Sequence, residues 1–555
     1  MRQEKSWIAT LVLTLALTPA LGRDVAWAAS VSVNSTTDVS DGDTSSIANL
    51  IANRGADGVI SLREAIEAAN NTAGSDSIAF NISGCGGVCT IQPLSALPVL
   101  SGGDTTIDGY TQLGAAEATD LLSATLLIEI DGTHAGEADG FNITSSNNVL
   151  MGLVINRFEK DGIRIYGSSA ISNTVSGNYI GTDASGLQDP GYQAGGVYIQ
   201  FSSHNLIGGD SPGDRNVISG NDTFGVHLHT HTAENTVSGN YIGLNANGVG
   251  ILPNKSVGVV INNLAHGNTI GGDTTGERNV ISGNGSDGVA ISSSGNSVSG
   301  NYIGTDVTGA VCHGNGADWE GVMIWAGHDN IIGGYSPGEG NLLACNAVAG
   351  VRISGSNAYS NTVVGNVIVA NQQMGVSMDN GSVQNTIGPN NFIANNGKHG
   401  VYVSEAQATV GPSNFIANNG MHGVYVSVYG SRVDVTQNSI YANHLLGIEY
   451  SQEVIPRPTI ISTTNTGSIN ILGTACPGCT VEVFENSDSD GEGETYTGNA
   501  TANASGAFTF TVSALKKPYL TATATDAVKG TSKFSVVAAT EKLNVYLPIV
   551  LSNHQ

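Results

Sequence analysis

A short phrase, in which Gly is followed by an apolar residue, any residue and a second apolar residue, recurs between Gly140 and Tyr450. It constrains the fold more than any other feature, because each copy places two apolar side chains on one face of a short strand. From Gly162 to Gly350 the phrase returns in two-coil units of 62 or 63 residues, and beyond Gly350 the spacing contracts to 23–25 residues. The copies begin at Gly140, Gly162, Gly196, Gly225, Gly258, Gly288, Gly321, Gly350, Gly375, Gly400, Gly423 and Gly447.

Two further phrases accompany the first. One reads Asn, any residue, Val or Ile, Ser, Gly, Asn and begins at Asn173, Asn216, Asn235, Asn279 and Asn296, with a variant at Asn361. The other, GNYIG, begins at Gly177, Gly239 and Gly300. Coils of about 22–25 residues with three short strands are the unit of a right-handed parallel β-helix, and the region is long enough for roughly 13 coils. The recurring Asn residues are predicted to stack as side-chain ladders at the turns.

The three phrases resemble the exported right-handed β-helix repeat family over residues 140–450. The resemblance implies a fold rather than an activity, because the repeated residues are those that build coils. The predicted fold class is therefore all-β, with the β-helix solenoid occupying residues 140–457.

The segments before the repeats indicate export and a cap. Residues 1–28 combine a charged start, an apolar run and the small-residue exit Ala26-Trp27-Ala28, which predicts a signal peptide cut before Ala29. Residues 29–139 are predicted to form an N-terminal cap and the first irregular coils. Ser61 and Glu64 have the spacing of a capping box, so a helix is expected there, covering the open end of the solenoid.

This helix region carries a second resemblance. Residues 62–66, LREAI, resemble the CSLREA module found ahead of β-helix repeats in exported bacterial proteins, with Ile60 in place of the cysteine of that module. The resemblance implies a structural, capping role.

After the repeats the pattern changes to alternation with a period of two. Residues 458–540 are predicted to form an immunoglobulin-like β-sandwich, and residues 541–555 a C-terminal tail. The apolar run from Val545 to Leu551 is too short to span a bilayer, and it is either an extra strand or a sorting tail.

Charge and cysteine content restrict the setting in which the chain works. A net charge of −26 argues against binding nucleic acid or an anionic membrane. After the signal peptide we expect no membrane span, a secreted or cell-surface location and a monomeric protein. The six cysteines of an exported chain are predicted to form disulfides, in the pairs Cys85 with Cys89, Cys312 with Cys345, and Cys476 with Cys479. For the last pair, metal binding and redox chemistry are the alternatives to a local disulfide.

The third and fifth residues of each phrase are predicted to face solvent, because side chains alternate across a strand. Aromatic faces stack on sugar rings, while Arg and Gln bind hydroxyls and carboxylates, so this column is a candidate site for a linear polysaccharide or a cell-surface glycan. Alternatively, outward Tyr and Thr are simply residues that favour strands. The candidate ligand-binding residues are Arg164, Tyr198, Gln200, His227, His229, Trp325, Tyr402 and Tyr425.

Three histidines, His227, His229 and His231, occupy alternate positions and would share the outer face if the strand extends that far. Their spacing of roughly 6–7 Å is long for one zinc ion. A metal site, a sugar-binding or acid–base histidine and a solvated strip all remain open.

An enzyme is the main alternative to a binding protein. Polysaccharide cleavage needs paired carboxylates, or a base with a cation that neutralises a uronate. Neither the N-T-D, D-D and G-H-G set of polygalacturonases nor the D-P-H motif of alginate epimerases is found in the sequence. The remaining catalytic candidates are Asp161 with Arg164 and Arg352 with Asp379, and a lyase is favoured over a glycoside hydrolase.

One acidic segment suggests a cation. Asp488, Asp490, Glu492 and Glu494 alternate with small residues, as in loops that wrap Ca²⁺, although a plain acidic hairpin has the same composition. Three functions therefore stay open: a glycan-binding adhesion or matrix protein, a polysaccharide-degrading enzyme, and a purely structural surface rod.

Overall fold

The computed structural model describes residues 28–120, 122–427, 431–453, 455–465 and 468–540. The predicted signal peptide, apart from its last residue, and the predicted tail lie outside these residues. Most of the described chain winds through three parallel sheets, in which each strand pairs with the equivalent strand of the next coil. The predicted coil architecture is thus confirmed.

The first sheet has 14 strands in the described part of the chain. They are Ala29–Val33, Asp76–Phe80, Thr105–Asp108, Val149–Met151, Thr174–Ser176, Leu206–Gly208, Thr236–Ser238, Thr269–Gly271, Ser297–Ser299, Ile331–Gly333, Thr362–Val364, Asn385–Ile387, Gln407–Val410 and Arg432–Val435.

The second sheet has 13 described strands. They are Cys89–Ile91, Ile128–Asp131, Leu153–Asn156, Tyr179–Ile180, Val217–Ile218, Tyr241–Ile242, Val280–Ile281, Tyr302–Ile303, Leu342–Ala344, Val367–Val369, Phe392–Ala394, Phe415–Ala417 and Ser439–Tyr441.

The third sheet has 12 strands among the described residues and is built from the Gly phrase. They are Phe141–Ile143, Asp161–Tyr166, Gly195–Gln200, Val226–His229, Val259–Ile261, Val289–Ile291, Val322–Ile324, Ala349–Ser354, Met374–Asp379, Val401–Val403, Val424–Val426 and Ile448–Tyr450. A further parallel pair, Gly327–His328 with Ala358–Tyr359, stands outside the three sheets.

The apolar residues of the phrase fill the space between the sheets. Ile163, Ile165, Val197 and Ile199 are fully buried, and the same holds for their counterparts in the following coils. Each such side chain stabilises the fold by about 1.5–3 kcal/mol through removal of apolar surface from water. The inward column of the phrase is therefore the main source of cohesion between coils.

Buried Asn side chains line the three corners between the sheets. In each corner the Oδ1 of one Asn accepts hydrogen bonds from the Nδ2, and at most positions also from the backbone N–H, of the Asn one coil earlier. The predicted Asn ladders are thus present, and they satisfy backbone groups that the corners leave without a strand partner. The corner that precedes the first sheet holds Asn148, Asn173, Asn205, Asn235, Asn268, Asn296, Asn330, Asn361 and Asn385.

Two helices precede the regular coils. The helix Leu62–Asn70 begins at Ser61 with the predicted capping box to Glu64, and it buries its apolar face against the first strands. The helix Ile47–Ala52 was not predicted, because six residues are too few to show a helical period, and it buries Ile47 and Leu50. Short 3₁₀ turns occur at Gly109–Thr111, Gly132–His134 and Pro212–Asp214.

The C-terminal region forms two antiparallel sheets, and the larger one contacts the last coils. One contains Thr459–Asn465, Ile469–Thr474 and Ala507–Val512, and the other contains Thr480–Asn486, Thr495–Thr501, Tyr519–Asp526, Gly530–Thr531 and Ala538–Ala539. The hydroxyl of Tyr450 donates to the carbonyl of Thr531, and Lys533 forms an ion pair with Glu449. These contacts cover the open end of the third sheet.

The three predicted disulfides are confirmed: Cys85–Cys89, Cys312–Cys345 and Cys476–Cys479. The second one joins loops of neighbouring coils, as expected from the equal distance of its two cysteines from Gly288 and Gly321. Disulfides are typical of proteins that fold outside the cytoplasm. In the described part of the chain, no helix is long and apolar enough to cross a membrane.

Candidate functional site

The third and fifth positions of each Gly phrase form two neighbouring outward columns on the third sheet, which together we call the outer strip. Strand register places its members directly above one another. Met323 and Ser377 are exceptions to the predicted exposure, since neighbouring side chains cover them almost completely. The third-position members in chain order are Asn142, Arg164, Tyr198, His227, Val260, Ala290, Met323, Arg352, Ser377, Tyr402, Tyr425 and Glu449.

A further column lies beside the strip and was missed from the sequence. It is formed by the residue before the glycine, which strict alternation assigns to the inner face. This residue is either the first of its strand, as Asp161 is, or lies in the corner just before the strand, and alternation does not predict the side-chain direction at either place. Phe224, for example, packs its ring 4.9 Å from that of His227, and His399 lies 6.0 Å from Tyr402. The functional-type residues of this column are Asp139, Asp161, Phe224, Asp287, Glu320, His399 and His422.

The amino-terminal part of the strip brings together a cation and aromatic rings. The guanidinium of Arg164 lies 5.1 Å from the ring centre of Tyr166 and 5.5 Å from that of Tyr198. Asp161 lies near Arg164, as predicted, but the two side chains make no ion pair within the described structure. Burial, with a contribution from the charge of Asp139, raises the pKa of Asp161 to about 7. A cation framed by rings is suited to sugar hydroxyls and carboxylates.

The histidines of this cluster are divided between two environments. The hydroxyl of Tyr198 lies 2.9 Å from Nδ1 of His229, which is also 3.2 Å from Nε2 of Gln200. His227 faces Asn262 at 3.1 Å, and burial lowers its pKa to about 4, so the imidazole is neutral at physiological pH. The strand ends at His229, and His231 instead stacks on Phe201 at 6.0 Å. The three histidines therefore do not share one face.

The middle part of the strip is a buried charge network. Arg352 donates to Asp379 at 3.0 Å, as expected from the sequence, and also to Glu320 at 3.0 Å. The backbone N–H of Glu320 donates to Asp287, whose pKa is raised mainly by burial, with the nearby Glu320 carboxylate adding to it. Because Asp287 and Glu320 are almost completely buried, this cluster holds coils together more readily than it meets a ligand.

Aromatic side chains continue the strip on the carboxyl-terminal side. Trp325 directly follows a strand of the third sheet and is 47% exposed. Tyr402 and Tyr425 lie in adjacent rungs with ring centres 6.0 Å apart, and His399 stacks on Tyr425 at 4.6 Å. Burial, together with the neighbouring His422, lowers the pKa of His399 to about 4, so this stack is uncharged at neutral pH. Exposed ring faces at intervals of one coil or more suit a ligand with repeating rings.

The acidic loop does not bring all four of its carboxylates together, although Asp490 lies beside both Asp488 and Glu492. Glu494 forms an ion pair with Lys517, and Asp488 accepts from the N–H of Asp490. Glu492 is buried and accepts from the backbone N–H and Nδ2 of Asn443 at 3.1 and 3.2 Å, which makes it the final acceptor of an Asn ladder. Among the described residues, no group of three or more His, Cys, Asp or Glu could hold a metal ion.

The stacked parallel sheets define the class: this is a parallel β-helix protein. Residues 267–478 match the family described as "Periplasmic copper-binding protein (NosD)", which is less than half of the chain. No curated protein sequence matches this chain.

Several solved structures are similar at low identity. The periplasmic alginate epimerase AlgG is 13% identical, with a TM-score of 0.32 over 63% of this chain and 74% of its own. The Dettilon tailspike protein is 13% identical, with a TM-score of 0.41 over 85% and 87%. An alginate lyase from Paenibacillus sp. is 13% identical, with a TM-score of 0.31 over 74% and 99%.

A copper ion does not fit the residues of the matched segment. The three cysteines of this segment are in disulfides, as are the other three in the chain. His399 and His422 stack face to face at 5.5 Å with their planes 6° apart, an arrangement in which the ring nitrogens do not converge on one ion. No chemical step is therefore assigned to copper.

Proposed function

We propose that this protein binds a linear extracellular or cell-surface polysaccharide along the outer strip. One observation carries the proposal: partly exposed aromatic and Arg side chains recur on one face of the third sheet, at intervals set by the coil. Tyr198, Trp325 and Tyr402 would each stack on a sugar ring, while Arg164 and Gln200 would bond hydroxyls or carboxylates. An adhesion or matrix role follows from such binding.

The experiment measures retention of the protein in gels containing neutral or uronic-acid polysaccharides. The triple variant Tyr198→Ala, Trp325→Ala, Tyr402→Ala is expected to weaken binding at least about tenfold, since each stacking contact contributes about 0.5–1.5 kcal/mol. The matched control is Phe392→Ala with Phe415→Ala, a stacked aromatic pair on the second sheet. Equal binding by the triple variant and the control would reject the strip, and no binding to any polysaccharide would favour a structural rod.

A second candidate function is a polysaccharide lyase acting at the amino-terminal part of the strip. The observation that favours it is the contact of 2.9 Å between the Tyr198 hydroxyl and His229 Nδ1 beside Arg164, which supplies a proton-transfer pair and a cation for a uronate. A lyase would release unsaturated chain ends from a polyuronate, and Tyr198→Phe would abolish release while retaining binding. New reducing ends without unsaturation would instead indicate a glycoside hydrolase.

We also propose that the N-terminal and C-terminal regions support the function of the β-helix. The helix Leu62–Asn70 packs on the first coil as a CSLREA-like cap, and the two C-terminal antiparallel sheets act as an immunoglobulin-like accessory domain. Export through the predicted signal peptide would bring the strip to its ligand. The disulfides support this location.

A further inference from the structure

The first polar side chain in the column of one Asn ladder is a carboxylate without a hydrogen-bond partner. Asp76 begins the second strand of the first sheet, and register places Thr105 and then Asn148 above it in the following coils. Asp76 is only 3% exposed, yet neither of its carboxylate oxygens has a hydrogen-bond partner in the described part of the chain. A buried, unpaired carboxylate is costly, so its place in the ladder calls for a donor.

The hydrogen bonds between successive rungs of the ladder indicate the position of that donor. From Thr105 to Asn361, the backbone nitrogen of each rung donates to the side-chain oxygen of the next rung at 2.8–3.3 Å. The rung before Asp76 is Ala29, which pairs with it in register. By the same geometry, the nitrogen of Ala29 is the group that the Asp76 carboxylate faces.

That nitrogen is used differently in the uncut chain. As a peptide N–H, it has one proton and donates it to the carbonyl of Ser75 at 3.0 Å, which leaves none for Asp76. An α-ammonium at the same position would carry three protons and a positive charge. It could keep the bond to Ser75 and also donate to the carboxylate as a charge-assisted hydrogen bond.

We propose that cleavage between Ala28 and Ala29 creates a buried ion pair between the α-ammonium of Ala29 and the carboxylate of Asp76, which completes the first coil of the mature protein. An export endopeptidase would hydrolyse the peptide bond. The carbon–nitrogen bond breaks, the oxygen of water becomes part of the new Ala28 carboxylate, and both protons of the water end on the Ala29 nitrogen, which gives the α-ammonium at neutral pH. The pair explains why this rung is Asp rather than Asn: only a carboxylate matches a charged donor.

The test is a four-member comparison of the full mature chain at pH 7. Two proteins begin at Ala29, with and without Asp76→Asn, and two carry one additional Gly before Ala29, which moves the ammonium away. In the chains that begin at Ala29, Asp76→Asn is expected to lower the melting temperature by about 2 °C. In the extended chains it is expected to have no effect or to raise the melting temperature, because it removes an unpaired buried charge.

Two results would overturn the proposal. One is an Asp76→Asn effect of the same sign and size in both backgrounds, and the other is an exported protein whose intact mass shows a start at a residue other than Ala29. Asn173→Asp, which puts a carboxylate inside the ladder, is the control and should lower the melting temperature in both backgrounds.

If the Asp76→Asn variant does not fold, the ion pair can be tested by the acylation rate of the α-amine in the unsubstituted mature protein. The α-amine of the mature protein should react with an acylating reagent at least about tenfold more slowly than an exposed lysine, because the ion pair holds it protonated and burial limits access of the reagent. Labelling at the rate of the exposed lysines would reject the ion pair. The outcome is independent of polysaccharide binding.

Discussion

The Asn ladders and the outer strip come from the same repeat. The residue type stays the same from coil to coil in the ladders, whereas it changes from coil to coil on the strip. At the corners one residue type recurs coil after coil, because a single amide both donates and accepts along the ladder. On the strip, neighbouring rungs hold Arg164, Tyr198 and His227, which share no such requirement. Positions that are uniform build the rod, and positions that vary are where a ligand can be recognised.

The ends of the ladders show what happens where this uniformity must stop. At the carboxyl-terminal end, Glu492 replaces the next Asn and accepts from Asn443, and burial raises its pKa to about 8. At the amino-terminal end, Asp76 replaces an Asn, and burial raises its pKa to about 6. These two ends belong to different ladders, and at each of them a carboxylate stands where the repeat would place another amide.

The largest loss of stability is expected when one Asn side chain is removed from a ladder. Asn240→Ala deletes donors to the carbonyls of Ile207 and Ser238 and the acceptor of the Asn216 N–H, all of them buried. Unsatisfied buried groups of this kind are expected to cost about 3 kcal/mol in the free energy of unfolding, measured by urea denaturation. Val260→Ala, at a half-buried position of the strip, is the control, with an expected cost below about 1 kcal/mol. Equal losses would show that the two regions do not differ.

The charge network around Arg352, in the middle of the strip, is expected to contribute to the stability of the fold rather than to ligand binding. Arg352→Met leaves Glu320 and Asp379 without their cation in a largely buried site. We expect a loss of about 2 kcal/mol at pH 7, smaller than for a fully buried pair because the Arg is partly exposed. The loss should shrink in acid as the carboxylates take up protons. Unchanged stability together with lost polysaccharide binding would instead place Arg352 in the ligand site.

In the amino-terminal part of the strip, Asp161 is expected to make the stability of the protein depend on pH. The pKa of Asp161 is about 7 in the folded protein, against about 3.9 in an unfolded chain. The folded state therefore binds more protons between these values, so this group makes stability fall as pH rises from about 4 to 7, with no further change above. Asp161→Asn should remove that slope and raise the free energy of unfolding at pH 8 by about 1.5 kcal/mol. A parallel pH profile for both proteins would contradict this.

Much of the coil register could be predicted from the sequence, because the inward aliphatic residues and the corner Asn residues repeat at one spacing. The Cys312–Cys345 disulfide followed from the same register. The residue before each glycine could not be assigned, since alternation does not predict the side-chain direction at the first residue of a strand or in the corner before it. Likewise, alternation predicts that Met323 points outward but not that neighbours cover it, and composition does not reveal that Glu492 ends a ladder.

The smallest expected effect concerns the aromatic pair on the second sheet. Phe392 and Phe415 stack at 4.6 Å with their planes 10° apart, and Phe392 is partly exposed. Phe392→Ala should cost less than about 1 kcal/mol, because the pair loses a stacking contact but little buried surface. It should leave polysaccharide retention unchanged, whereas Tyr402→Ala, which disrupts a comparable pair on the strip, should reduce it. If both variants reduce retention equally, binding follows exposed rings anywhere on the rod, and the third sheet is not a distinct surface.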